Sequence, residues 1–88
     1  MSYIRQDINI GPTLRNLRLK AGYTQEELAT KMQLYGCHTT RSIYAQIENG
    51  IHGVRVSELD ALRKIYNTTA DYILFESGLN LPSVDKTD

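Results

Sequence analysis

Residues 39–50, TTRSIYAQIENG, hold the side chains best suited to specific chemistry. Wound as a helix at about 100° per residue, the stretch divides into two unlike faces. Ile43, Tyr44 and Ile47 fall on one side, and Arg41, Ser42, Ala45, Gln46 and Asn49 share the other. The second face consists of short or planar, mostly hydrogen-bonding groups, not the long Glu and Lys side chains of an ordinary solvated face. Such a face is suited to touching a partner. The rest of the chain offers little that could react. Cys37 and His38, with His52 further on, are too few and lack the spacing of metal ligands, so no metal or other cofactor is expected. The sequence shows no paired carboxylates, no nucleophile with an adjacent base and no phosphate-cradling glycine loop, and does not point to an enzyme.

Five short helices are expected to position these residues. MSYIRQDIN has no helical stripe, so residues 1–9 read as an irregular arm. The first helix begins near Ile10–Pro12, because the N–H that proline lacks would be unbonded in a first turn anyway. Ile10, Leu14, Leu17 and Ala21 form its apolar stripe, and Gly22 stands where a glycine ends a helix. The second opens with TQEE, in which Thr24 and Glu27 can form a capping box. Leu28, Met32 and Tyr35 carry its stripe to Gly36, and Glu27 and Lys31 stand at a favourable i,i+4 spacing. Thr40 is the expected N-cap of the third helix and Asn49-Gly50 its exit. Asn-Gly also marks hairpins, but no alternating strands flank it here. SELD suggests a capping box from Ser57 to Asp60 for the fourth helix, with Leu59, Leu62, Ile65 and Tyr66 inward and Asn67 as a left-handed cap. Thr69 is placed to cap the fifth, ADYILFE, with Ala70, Ile73 and Leu74 inward. Residues 10–76 thus read as one all-α domain, and residues 77–88 as a tail.

A chain of 88 residues supports one domain that buries roughly 60–65% of its unfolded surface. Apolar residues make up 41% and charged ones 23%, the balance of a globular protein. No run is long and apolar enough to span a membrane, and no signal peptide is visible. The single cysteine, Cys37, cannot form an internal disulfide, which is compatible with a reducing cytoplasm. A formal net charge of zero counts mildly against a nucleic-acid partner. The distribution says more. Residues 1–55 carry seven Lys/Arg against four Asp/Glu, and residues 56–88 three against six, so a basic surface is possible on one side alone.

LRNLRLKAGYTQEELATKM together with RSIYAQIENG resembles the phage-repressor helix-turn-helix family, the Cro/cI-like or XRE type, from about Ile10 to Phe75. GYTQEELA paired with IENG carries the resemblance; either piece alone would be weak. It implies a compact five-helix bundle of the lambda-repressor-like kind, with the third helix in the DNA major groove. The residue chemistry agrees. Arg can hold guanine O6 and N7, Gln can hold adenine N6 and N7, Ser can bond either way, and Ala can meet a thymine methyl. Matched from Ile47-Glu48-Asn49-Gly50, the family's base-reading positions fall on Arg41, Ser42, Ala45 and Gln46. Gln25 matches the phosphate-bonding position at the start of helix 2, where unbonded amides and the helix dipole favour an anion. Asn49, His52 and Arg55, in the loop after helix 3, would touch the DNA backbone, which positions without specifying. Arg18 and Glu48 match a family ion pair that ties helix 1 to helix 3, an architectural role. QLYGCHT departs from the family, whose turn between helices 2 and 3 is tight. The period extends helix 2 to Tyr35 and leaves Cys37-His38-Thr39 as the turn proper.

The resemblance implies sequence-specific binding of double-stranded DNA by a transcriptional regulator of the repressor kind. A protein-interaction module, favoured by the zero net charge, and an antitoxin are the alternatives on the same fold. One helix in one groove covers too few base pairs for strong discrimination. A homodimer on a pseudo-palindromic operator is therefore expected, built from helix 5 and the tail. Phe75, Leu79, Leu81 and Val84 lie there, in the acidic half that phosphate would repel.

Overall fold

Helix ends in the computed structural model, which describes residues 9–78, follow from local chemistry. The order is α1 (Gly11–Ala21), α2 (Gln25–Leu34), α3 (Arg41–Glu48), α4 (Val56–Ile65) and α5 (Ala70–Glu76), with no strand among the described residues. Pro12 lies in the first turn of α1, and Gly22 leaves it in the left-handed region at φ 79°. At α2 the capping box is complete: Thr24 Oγ1 accepts from the Glu27 amide at 3.0 Å, and Glu27 Oε1 accepts from the Thr24 amide at 2.8 Å. Beyond Tyr35, Gly36 turns left-handed at φ 88°, and the Cys37 amide returns to the Met32 carbonyl at 3.2 Å. Thr40 Oγ1 caps α3 through the Ile43 amide at 3.1 Å, and Thr69 Oγ1 caps α5 through the Tyr72 amide at 3.0 Å. Asn67 makes the turn between α4 and α5 at φ 52°.

Four local expectations are corrected. The Ser57–Asp60 capping box does not form, because α4 begins earlier, with Arg55 as its N-cap. The acid three residues beyond that cap is Glu58, which accepts from the Arg55 amide at 2.8 Å. Asp60 faces the other way and pairs with Arg63 at 2.8 Å and Lys64 at 3.0 Å. Ala21, the last residue of α1, is exposed. Tyr35 is also exposed: it lies after the last residue of α2, with Lys64 Nζ 6.0 Å from its ring centre. Glu27 and Lys31 take different partners, Glu27 the Thr24 amide and Lys31 the face of Tyr23, at 5.0 Å.

Leu14, Leu28, Met32, Tyr44, Ile47, Leu62 and Ile73 are fully buried, so every helix contributes to one core. Each such aliphatic or aromatic side chain adds about 1.5–3 kcal/mol of transfer free energy. α3 packs on α1 and α2, α2 on α4, and α5 closes the bundle across α1 and α4. Gly11 sits where α1 meets the end of α3, and a Cβ there would collide with the Glu48 carbonyl.

Candidate nucleic-acid interface

The inner face of α3, Tyr44 and Ile47, is consumed by the core, and Ile43 is half-buried beside it. Arg41, Ser42 and Gln46 are exposed on the opposite face, with Ala45 half-buried between them and Asn49 exposed at the exit. The four expected base-reading positions thus share one surface. Arg41 also lines a shallow depression with Thr24, Gln25 and Glu26 of the α2 N-terminus.

The far end of α3 is held by a buried network. Arg18 Nε donates to Glu48 Oε2 at 2.7 Å, and a second guanidinium nitrogen donates to Oε1 at 3.1 Å. This two-pronged pairing suits the planar fork of arginine. Arg18 donates a third bond to the Tyr23 carbonyl at 3.0 Å, which draws in the turn before α2. Gln25 Nε2 completes the set on Glu48 Oε1 at 3.1 Å. Burial pushes the Glu48 carboxyl up, but hydrogen bonds from Arg18 and Gln25 and the charge of Arg18 outweigh it, and the group titrates below its usual value. The Arg18 guanidinium is raised, chiefly by its hydrogen bond to Glu48. Burial also lifts the Tyr44 phenol far above its ordinary value.

Gln25 therefore has a tie that sequence reasoning missed. Its amide carries two N–H groups, and one of them is spent on Glu48. No local signal reveals this bond, which joins residues distant in sequence. The loop after α3 folds back on the helix end, with the Ile51 and His52 amides donating to the Gln46 carbonyl at 2.9 and 3.2 Å. His52 Nδ1 lies 2.8 Å from the Gly53 carbonyl and donates to it, which fixes the ring. His52 and Arg55 line a cleft with Gly36, Cys37, His38 and Ile43, beside the long link. Cys37, His38 and His52 come close there, yet no group of three potential metal ligands forms among the described residues.

A family model described as helix-turn-helix, of the XRE or Cro/cI-like type, matches residues 14–73, well over half of the chain. The chain belongs to the Cro/cI-like helix-turn-helix family. No curated protein and no solved structure matches it. The matched span includes α2, the long link and α3, so the extended QLYGCHT connection lies inside a helix-turn-helix domain. Membership makes the chain a DNA-binding regulator in the general sense, on a domain type that is not enzymatic. No helix among the described residues is long and apolar enough to cross a membrane.

Proposed function

We propose that this helix-turn-helix protein binds double-stranded DNA sequence-specifically and acts as a repressor-type transcriptional regulator. Arg41, Ser42, Ala45 and Gln46 read bases in the major groove, and Gln25, Asn49, His52 and Arg55 hold the phosphate backbone. The observation that carries this reading is the exposed face of α3: Arg41, Ser42 and Gln46 stand outward on a helix whose other face is sealed in the core. Rigidity supports it too. Bidentate base contacts need donors placed within a few tenths of an ångström, and the Arg18–Glu48–Gln25 network fixes the end of α3. The protein binds as a symmetric homodimer, with α5 as the described part of the contact. Two recognition helices then meet half-sites about one DNA turn, roughly 34 Å, apart. The cytoplasm or nucleoid is the compartment in which such a protein works.

Selection of bound sequences from a random duplex pool tests the reading. The expected outcome is a pseudo-palindrome with half-sites one turn apart and a few strongly fixed positions in each. A pool that stays random after repeated rounds, with a correctly folded protein, would leave the protein-interaction reading in its place.

A further inference from the structure

A second buried carboxylate serves the opposite end of α3 from Glu48. Thr39, immediately before the α3 N-cap, is 1% exposed, and its hydroxyl donates to Glu58 Oε2 at 2.5 Å. Glu58 is itself buried, and its other oxygen accepts from the Arg55 amide at 2.8 Å. The main chain of Thr39 is held as well, its carbonyl accepting from Gln33 Nε2 at 2.9 Å. Burial pushes the Cys37 thiol up, so it stays protonated and donates to the Ser57 carbonyl at 3.6 Å. The long link is thereby tied to α2 on one side and to the start of α4 on the other.

One carboxylate thus touches both halves of the interface. Through Thr39 it holds the chain that enters α3, where Arg41 and Ser42 begin the helix. Through the Arg55 amide it holds the loop that carries His52 and Arg55. α3 has eight residues, so a small tilt at its first turn moves Arg41 and Ser42 relative to the loop. A base contact of hydrogen-bond length does not survive a shift of an ångström. A buried carboxylate left without its donors is costly, which keeps Thr39 seated.

We propose that Glu58, acting through Thr39, is a positioning residue for DNA recognition, setting the register between the base-reading first turn of α3 and the backbone-contacting loop before α4. The proposal rests on the reading of α3 as the recognition helix.

Two affinities test it, one for a duplex selected from the random pool and one for a scrambled duplex of the same composition. Both are measured well below the melting temperature of each variant. Thr39→Val removes the hydroxyl at nearly constant shape. It should weaken selected-duplex binding roughly tenfold and leave scrambled-duplex binding unchanged. Thr39→Ser keeps the hydroxyl and should restore the parent's ratio. If Thr39→Val does not stay folded, Glu58→Met, which keeps the length of the side chain and removes both acceptors, should lower the ratio in the same way. A purely structural role would lower melting temperatures and leave the ratio alone. Folded variants that discriminate as well as the parent would overturn the positioning role by itself. A parent that binds neither duplex would overturn the DNA reading beneath it.

Discussion

Glu48 is nearly dry, and the domain's response to acid follows from its surroundings. Its folded pKa lies below the unfolded one. The stability it contributes is therefore complete above the ordinary carboxylate range and is lost as pH falls through the folded value. Arg18, raised above its already high value, stays protonated throughout and adds no pH dependence in that window. A melting series should show a plateau near neutrality and a fall once pH drops below about 4. Glu48→Gln should flatten the acid limb and cost roughly 3 kcal/mol at neutral pH, because the Arg18 charge is left buried without its partner. A variant as stable as the parent at pH 7 would mean that solvent meets the guanidinium's needs. On the other face of the same helix, Arg41→Ala and Gln46→Ala should leave melting unchanged. Each should weaken binding to the selected duplex by about 1–3 kcal/mol, with the loss confined to one or two base positions in each half-site. Equal affinity for parent and both variants would put recognition elsewhere on the molecule.

Two glycines separate what an element needs locally from what it needs of its neighbours. Gly36 at φ 88° ends α2 in open space, so Gly36→Val meets backbone strain alone and should destabilise by about 1 kcal/mol or more. Gly11 has no unusual backbone, yet a side chain there strikes the Glu48 carbonyl. Gly11→Ala should therefore cost more than Gly36→Val, and chemical denaturation of the two variants ranks them. The reverse order would mean that α1 and α3 part easily. This contrast also marks what was legible in the sequence. Thr24, Thr40 and Thr69 announced their helices, because a cap is a matter of neighbours three residues apart. Gly22, Gly36 and Asn67 announced exits for the same reason. The start of α4 is hidden from such local signals, because Ser57 and Asp60 have the spacing of a box while Arg55, a poor N-cap by type, holds that position instead. Gly11 against Glu48, Gln25 on Glu48 and Thr39 on Glu58 left no local trace, since each joins residues distant in sequence. The outward face of α3 was visible from periodicity, and the function assigned to it came from family likeness rather than from the residues alone.

At the scale of the whole molecule, charge and apolar surface point in different directions. Basic residues outnumber acids in the first 55 positions, which contain α3, and acids outnumber bases after them. On α5, Phe75 is 58% exposed and Tyr72 45% exposed, three residues apart and so neighbours on the helix surface. Leu79, Leu81 and Val84, expected to join the dimer contact, lie outside the described residues. Under the proposed dimer, Phe75→Glu should give a monomer in sedimentation equilibrium without lowering helicity, and should weaken operator binding because the two half-sites would no longer be linked. A parent that sediments as a monomer at high concentration would remove the dimer from the account. Whether the exposed face of α3 recognises particular DNA is decided by one titration. The parent protein is added to the selected duplex and to a scrambled one at low and at near-physiological salt. The expected result is affinity that falls steeply with salt for both duplexes, as counterion release requires, with the selected duplex bound at least about a thousandfold tighter. Equal affinity for the two duplexes, or no binding to either at low salt, would contradict that recognition.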